Sequence, residues 1–262
     1  MKLQILVSTM NQTNYGLIKK MNIKSDTLVV NQCDNTAKAA WHENNGALIQ
    51  WHSFAEKGIG LSRNNALMRA EGDILLFADD DVRYRDGYKE MILSEFERYP
   101  KADVIVFNVT STNSARPEYQ IYRPHRVHFF NCLRYGAFRI AVRRTSVQKK
   151  RIYFSTLFGG GCLYGSGEDS LFLVDCIRNG LCVYASPCEI GNVNHKESTW
   201  FKGYSEKYFY DKGALFACIS SFFSMPLCLQ FCLRHRDICA TLTIKEALNN
   251  MLRGAKEYRR HV

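Results

Sequence analysis

The chain has 262 residues, of which 46% are hydrophobic and 23% charged. This balance is typical of a soluble globular protein that buries a core, and it argues against a disordered chain. The net charge of +10 predicts an anionic partner such as a nucleotide, a phospholipid surface or nucleic acid. None of the ten cysteines has Cys-x-x-Cys spacing, so we expect free thiols in a reducing cytoplasm. The opening residues predict a strand and no secretory signal.

The first 110 residues alternate short apolar runs with helical stretches. The runs are nearly continuous and rich in β-branched or aromatic residues, as in strands buried on both faces of a parallel sheet. They cover residues 3–9, 26–33, 47–54, 73–79 and 102–110. Helices are predicted over 60–70, with Ser62 as the N-cap, and over 86–99. The alternation predicts a wound α/β sheet, which binds its ligands at the C-terminal ends of the strands.

Three adjacent aspartates follow one of these predicted strands. Asp79, Asp80 and Asp81 lie in the sequence FADDDV, and their negative charges repel one another. Carboxylates at such a strand end bind hard cations, and together with phosphate oxygens they form a typical Mg²⁺ or Mn²⁺ shell. The alternative is an acidic turn that caps the following helix.

Residues 116–151 carry ten basic side chains and a single acid, Glu118, interleaved with Tyr and Phe. This pattern suits nucleic acid, and the aromatic rings suit stacking on sugar rings equally well. The glycine-rich segment 158–170 follows and predicts a mobile loop. A helix is then predicted from near Glu168 to Gly180.

Residues 213–233 contain no charged side chain. This uncharged run is long enough for a candidate membrane span. Pro226 and the interspersed serines argue against a span. We expect a helix that packs on its own domain or lies at a membrane surface. The tail 234–262 carries seven Lys or Arg against three acids, which suits an anionic leaflet.

Several short motifs occur in a specific order. VST ends the first strand, SRN lies at a helix start, ADDD follows a strand, and GED follows the glycine-rich segment, with a late His195 in NHKEST. From Lys2 to about Lys212 the chain therefore resembles glycosyltransferase family 2, the inverting nucleotide-sugar transferases of GT-A fold. The resemblance implies an α/β fold with a Rossmann-like wound mixed sheet flanked by helices. It divides the chain into a GT-A domain over 1–212 (nucleotide-binding half 1–115, acceptor-side half 116–212) and a C-terminal helical extension over 213–262.

The resemblance assigns metal and diphosphate roles to the aspartate triplet. Asp79 and Asp81 resemble the Asp-x-Asp pair that holds Mn²⁺ or Mg²⁺, with Asp81 as the direct ligand and Asp80 in support. Asp79 and Asp80 are also expected at the nucleotide. His195 resembles the late histidine that closes the metal or diphosphate site.

The resemblance also assigns the base and the nucleotide contacts. Asp169 of GED resembles the general base that takes the acceptor proton, and Glu168 tunes its pKa or binds the acceptor. The residues expected to contact the nucleotide are Thr9, Arg63, Asn31, Gln32 and Asp34. The family usually has acids after the second strand, whereas here Asn31 and Gln32 stand there and Asp34 is displaced. An amide can still hydrogen-bond uracil, but the change weakens the case for UDP.

The implied reaction is metal-dependent, inverting transfer from a nucleotide-diphosphate sugar, expected to be a UDP-sugar. The acceptor would be a glycan or a lipid-linked glycan in surface polysaccharide biosynthesis. We expect the protein in the cytoplasm, peripheral at the inner face of the membrane. Two alternatives are a basic nucleic-acid-binding protein, disfavoured because the basic segment falls on the acceptor side, and a non-catalytic GT-A-like module, disfavoured by the intact carboxylates.

Overall fold

The computed structural model describes residues 1–195, 203–236, 238 and 242–261. Ten strands of these residues form one mixed sheet. The strands are β1 (Leu3–Met10), β2 (Asp26–Gln32), β3 (Ala37–His42), β4 (Leu48–Phe54), β5 (Ile74–Asp79), β6 (Val82–Tyr84), β7 (Val104–Ser111), β8 (His125–Arg126), β9 (Ile140–Arg143) and β10 (Val183–Val193).

Helices cover both faces of this sheet. They are α1 (Leu17–Lys20), α2 (Ile59–Arg69), α3 (Tyr88–Arg98), α4 (Arg144–Lys149), α5 (Glu168–Arg178), α6 (Glu206–Ile219), α7 (Ser224–Arg234) and α8 (Ile244–His261), with short 3₁₀ turns at Cys132–Arg134 and Ala137–Arg139. The strands predicted in the first 110 residues and the helix starting near Glu168 are confirmed. Ser62 is not the N-cap of its helix: α2 begins after Gly58, and the Ser62 hydroxyl donates to the Ser8 hydroxyl instead.

The sheet has the order β3-β4-β2-β1-β5-β9-β7-β10-β6, with β8 paired to β10. Strand β1 pairs in parallel with β2 and β5, so the C-terminal ends of these three strands meet at one edge. Strand β9 is antiparallel to both β5 and β7, which makes the sheet mixed. The predicted class, a wound mixed α/β sheet flanked by helices, is confirmed.

The apolar side chains of the sheet alternate between two cores. One core packs β5 and β7 side chains against α2, α5 and the three C-terminal helices, as Phe77, Phe172 and Phe209 show. The other packs the opposite face against α1 and α3, with Met21 and Ile92 buried. Because the central strands are buried on both faces, their sequences read as nearly continuous apolar runs.

The uncharged run 213–233 forms parts of two helices rather than one. Helix α6 ends at Ile219, and α7 begins at Ser224 with Pro226 in its first turn, where proline does not disrupt helical hydrogen bonds. No helix among the described residues is long and apolar enough to cross a membrane. Residue 212, the predicted domain boundary, falls inside α6, and the boundary stays a prediction.

Helices α6 and α8 cross at very short range through two glycines. A Cβ at Gly213 would lie 1.8 Å from the Met251 carbonyl oxygen, and a Cβ at Gly254 would lie 2.0 Å from the Tyr210 carbonyl oxygen. Only glycine allows the two backbones to approach this closely.

We expect Gly213→Ala and Gly254→Ala each to lower the free energy of unfolding by about 1–3 kcal/mol, because the added methyl group forces the helices apart. Thermal unfolding would measure the loss. Lys256→Ala, on the exposed side of α8, is the control and should leave stability nearly unchanged. A Gly213→Ala protein as stable as the parent would show that the helix pair tolerates a wider spacing.

Candidate active site

The ends of β1, β2 and β5 bring together residues that are far apart in the sequence. Thr9 pairs in register with Asn31, and Ser8 pairs with Asp79. The Thr9 hydroxyl donates a hydrogen bond of 2.5 Å to Oδ2 of Asp80. The aspartate triplet therefore starts at the same sheet edge as the two predicted nucleotide contacts.

Arg63, on α2, lies between the aspartate triplet and the GED motif. Its guanidinium donates to Asp79 Oδ1 and to Glu168 Oε1, both at 2.8 Å, and Arg63 is only 4% exposed. Burial disfavours the guanidinium charge, but Asp79 and Glu168 outweigh it and raise the pKa of Arg63 above its ordinary value. The face of Phe154 lies 5.3 Å from the guanidinium carbon. Arg63 thus holds two carboxylates from opposite sides of the site.

The two acids of GED have different surroundings at the start of α5. Glu168 is buried, and both its oxygens are used: Oε1 accepts from Arg63 and Oε2 from the Gly167 amide at 3.1 Å. Asp169 is partly buried, and its one hydrogen bond to a described residue is from the Ser170 amide, at 2.7 Å. Burial, with the Glu168 charge adding, raises the pKa of Asp169 to about 7. Asp169 can therefore exchange a proton near neutral pH.

His195 lies beside Asp81 because β10 pairs with β6. Val193 is opposite Val82, and the Asn194 amide donates to the Asp81 carbonyl oxygen at 3.2 Å. His195 Nδ1 is then 3.9 Å from Asp81 Oδ2, and its Nε2 is 3.0 Å from Oε1 of Glu118. Burial and the Asp79 charge raise the pKa of Asp81 to about 6, with His195 opposing the shift.

The residues around Asp81 fit a divalent ion that is completed by a ligand. The raised pKa of Asp81 shows a carboxylate whose charge is poorly compensated by the protein. Asp79 differs, because Arg63 already neutralises it. No three His, Cys, Asp or Glu side chains of the described residues form a cluster that could hold a metal. Mn²⁺ or Mg²⁺ would thus have Asp81 and His195 as protein ligands and would depend on diphosphate oxygens for the rest, as Mg²⁺ sites often do.

A pocket of about 530 Å³ opens beside the ends of β1 and β2. Asn31, Asp34 and Trp51 line it, and the ring of Tyr15 lies 5.1 Å from that of Trp51. It is the size of a small-molecule pocket, and aromatic rings beside polar groups suit a nucleobase.

Three of the predicted nucleotide contacts have other partners in the structure, and their roles at a nucleotide stay predictions. Arg63 is outside the pocket, because its guanidinium is buried between Asp79 and Glu168. Gln32 is buried, and its Oε1 accepts the Gly58 amide at 2.8 Å, which holds the start of α2. Asn31 lines the pocket, and its side-chain amide is hydrogen-bonded to the Gln12 backbone, at 3.0 and 3.1 Å.

The basic segment 116–151 is not one continuous anion-binding face. Arg139 is fully buried and binds the carbonyl oxygens of Phe107 and Tyr119 and the carboxylate of Glu118. Arg143 and Arg144 likewise donate to backbone carbonyls. These side chains hold loops to the sheet, so the charge count overstated the basic surface.

Two residues near the site escaped the sequence analysis as functional candidates. Glu118 joins Arg139 to His195, and its only signal was that it is the single acid in a basic segment. Lys212 lies over the ring of Tyr208, at 5.5 Å, and its charge favours the ionised forms of Asp169 and Glu168. Nothing in the local sequence distinguishes Lys212 from a surface lysine.

The glycine-rich segment is held in place at several points, although its composition predicted a mobile loop. The Gly159 amide donates to the Tyr164 carbonyl oxygen at 2.8 Å, and the Ile59 amide donates to the Gly160 carbonyl oxygen at 3.0 Å. The Gly165 amide donates to Oδ2 of Asp211 on α6 at 2.9 Å. The loop thereby connects α2, the GED motif and the C-terminal helices.

A mixed α/β sheet with carboxylates at its C-terminal edge, beside a nucleobase-sized pocket, is the architecture of the GT-A class. Solved structures with this fold include S. aureus TarS 1–349 in complex with UDP-GlcNAc, with a TM-score of 0.63, 15% identity, and coverage of 100% of this chain and 92% of that one. The complex of TarS 1–349 with UDP gives the same values. A further S. aureus TarS structure has a TM-score of 0.60 at 17% identity, covering 82% of this chain and 39% of that one.

The sequence profile of glycosyl transferase family 2 matches residues 34–162, which include the aspartate triplet and the first part of the glycine-rich segment. No curated protein matches the chain significantly. Taken with the fold, the profile match identifies residues 34–162 as a glycosyl transferase family 2 domain and supports a glycosyltransferase.

Proposed function

We propose that the chain transfers a sugar from a nucleotide diphosphate, with UDP-sugar as donor, to a glycan or lipid-linked glycan by a metal-dependent, inverting displacement. The observation that carries the proposal is the double ion pair of Arg63 with Asp79 and Glu168. Through it, the triplet and Asp169, next to Glu168, lie on two sides of one guanidinium. A diphosphate bound at the triplet and an acceptor hydroxyl bound at Asp169 would then be neighbours.

The donor would bind along the ends of β1, β2 and β5. The base would enter the pocket lined by Trp51 and Asp34, and the diphosphate would lie toward Asp80 and Asp81. The choice of uridine is supported by S. aureus TarS, which shares the fold and has been solved with UDP and with UDP-GlcNAc. Because Asn31 is committed to the Gln12 backbone, we expect backbone groups of the loop after β1 to read the base edge.

Asp81 and His195 would hold Mn²⁺ or Mg²⁺ against the diphosphate. When bound, the ion neutralises charge that develops on the leaving diphosphate. Glu118 Oε1 accepts a hydrogen bond from His195 Nε2 on the side away from Asp81, which orients the imidazole ring. Asp79 is held in an ion pair with Arg63 and would mainly position that arginine. Its role at the metal would be smaller than that of Asp81.

Asp169 would take the proton from the acceptor hydroxyl as that oxygen attacks the anomeric carbon. Its partly buried position and raised pKa suit a carboxylate that acts as a base near neutral pH. Glu168 is fixed by two hydrogen bonds, so it places Arg63 and contributes charge beside the base. A single displacement with one base on the acceptor side inverts the anomeric centre.

The setting that we propose is surface polysaccharide assembly on the cytoplasmic side of a membrane, with the protein held peripherally. The clustering of basic residues in the C-terminal tail supports an anionic membrane as partner. Binding of nucleic acid is not proposed, because several arginines of the basic segment are used on backbone carbonyls.

Asp81→Ala is expected to remove the Mn²⁺ dependence of UDP binding without unfolding the protein, because Asp81 lies at a strand end outside the cores. A thermal-shift series with UDP, with and without Mn²⁺, would measure this. Ligand at 100 times its dissociation constant stabilises a protein by about 2.7 kcal/mol, which is readily detected. In the parent the effect of Mn²⁺ should strengthen as pH rises through about 6, because Asp81 must lose its proton to bind a cation.

Asp86→Ala serves as the matched control, because Asp86 is exposed and pairs only with surface groups including Lys24. It should bind UDP and Mn²⁺ as the parent does. If the Asp81→Ala protein keeps the same metal-dependent stabilisation, the metal lies elsewhere and this assignment is wrong.

A further inference from the structure

Helix α7 exposes its large apolar side chains. Phe222, just before the helix, is 82% exposed, Met225 is 61%, Leu229 is 46% and Leu233 is 49% exposed. Their spacing of three, four and four residues places them on one side of the helix. We call these four residues the docking face. Phe223, beside it, is also half-exposed.

The buried side of α7 carries small residues instead. Ser224, Cys228 and Cys232 are fully buried, and Cys232 Sγ lies 3.5 Å from Met251 Sδ of α8. A helix of a water-exposed surface usually buries its large apolar residues and exposes charges. In α7 Leu227 and Phe231 pack partly against the core, whereas Phe222, Met225, Leu229 and Leu233 stay exposed. The packing of α7 on the protein therefore does not account for the docking face. A contiguous apolar surface of this kind marks an interaction site.

Two arginines lie at the end of the docking face. A cavity of about 610 Å³ next to Phe222 is lined by Arg178, Arg259, Ser220 and Ser221. Arg259 donates to the Ser224 hydroxyl at 2.7 Å, and Arg178 donates to the Ile219 carbonyl oxygen. Among the described residues, no carboxylate lies within ion-pair distance of either guanidinium. Both arginines therefore keep donors and a full positive charge for an anion.

We propose that the docking face and the Arg178–Arg259 cavity together bind an anionic phospholipid leaflet. Phe222, Met225, Leu229 and Leu233 enter the boundary between headgroups and acyl chains, and the two guanidiniums bind lipid phosphates. An exposed apolar stripe flanked by basic residues is the pattern of helices that lie in this boundary. Seven Lys or Arg against three acids in residues 234–262 supply the charge complementarity.

This surface has a defined position relative to the candidate active site. Helix α5 begins at Glu168, in the candidate active site, and ends at Arg178, in the cavity, so the two are about 15 Å apart along the helix axis. Helix α6 connects them too, since Asp211 binds the glycine-rich segment and Ile219 binds Arg178. A lipid-linked acceptor whose phosphate lies at the cavity would have its glycan directed toward Asp169. This consequence rests on the proposed sugar transfer, and the membrane binding itself gives a surface to the peripheral attachment proposed above.

Flotation with phosphatidylglycerol-containing vesicles tests the docking face, with neutral phosphatidylcholine vesicles as comparison and no donor or acceptor present. We expect the parent to bind the anionic vesicles and to be partly released by high salt. Phe222→Ser/Leu229→Ser should weaken binding at least tenfold, because the favourable transfer of two apolar side chains from water into the membrane is lost. Arg259→Gln should weaken it about fivefold. Met68→Ser is the control and should bind as the parent does, since Met68 is 57% exposed and lies on α2, which packs on β1 and β2.

Several results would overturn the proposal. They are a parent that binds neither vesicle, a parent that binds both equally, or a Phe222→Ser/Leu229→Ser protein that binds like the parent. The proposal would also be wrong if the protein forms a dimer without lipid and the same double substitution converts the dimer to monomers. A second copy of the chain would then cover the docking face. UDP and Mn²⁺ binding, measured by thermal shift on the same proteins, reports on the proposed function separately.

Discussion

Asp169→Asn is expected to lower the rate of sugar transfer by roughly 10²–10⁴-fold while donor affinity stays within a few-fold of the parent. The substitution keeps the volume and the hydrogen bond from the Ser170 amide, but an amide cannot accept a proton. A positioned base contributes an acceleration of this size. Steady-state transfer and UDP-sugar binding, measured on the same preparation, separate the two effects. Asp175→Asn, further along α5, is the matched control and should retain the parental rate.

The pH dependence of the parent provides a second readout of Asp169. Since burial raises its pKa to about 7, the carboxylate is protonated at acidic pH and cannot act as a base there. Transfer should therefore rise as pH increases through about 7 and then level off, and the Asp169→Asn protein should lack this rise. Glu168→Gln should have the milder effect. A dead Glu168→Gln protein beside a fast Asp169→Asn protein would reverse the assignment.

Arg63→Met is expected to lower the free energy of unfolding by about 3–5 kcal/mol, the usual cost of removing one partner of a buried ion pair. Without the guanidinium, Glu168 and Asp79 would both lack the cation that pairs with them, and the Glu168 side chain is only 11% exposed. Chemical denaturation would measure it. Arg69→Met on the same helix is the control: Arg69 is exposed and bonds within its own helix, so its loss should cost about 0.5 kcal/mol.

A double substitution distinguishes the lost ion pair from lost packing. If the penalty comes from uncompensated charge, Arg63→Met combined with Glu168→Gln should be destabilised by less than the sum of the single changes. Additive losses would instead assign the effect to the contact of Arg63 with the Phe154 ring. An Arg63→Met protein as stable as the parent would remove Arg63 as the link between the two halves of the site.

The sequence alone located the central sheet and the carboxylates. Strands buried on both faces must be apolar along their whole length, and this property is visible in runs such as residues 73–79. The triplet follows directly from such a run, so its place at the edge of the sheet was predictable. Five strands were not predicted. Strands β6, β8 and β9 have only three, two and four residues, β3 is exposed at the sheet edge, and β10 is interrupted by irregular pairing.

Contacts over long sequence distances were decided by the tertiary structure. Arg63 matched a motif for the base pocket, yet it bonds Glu168, which lies 105 residues away. Its direction depends on how α2 and α5 pack on the sheet, and no local pattern contains that information. The charge count of segment 116–151 overstated the basic surface for a similar reason. A count of arginines does not distinguish the fully buried Arg139 from an exposed arginine.

Helix α7 shows the same division between what composition determines and what packing decides. The uncharged run 213–233 determined that this region would avoid water or meet an apolar partner. Which residues it buries depends on the close approach of α8, and small side chains satisfy that approach better than large ones. Phe222, Met225, Leu229 and Leu233 are therefore left outside by the packing of the helices, although their hydrophobicity alone would have placed them in the core.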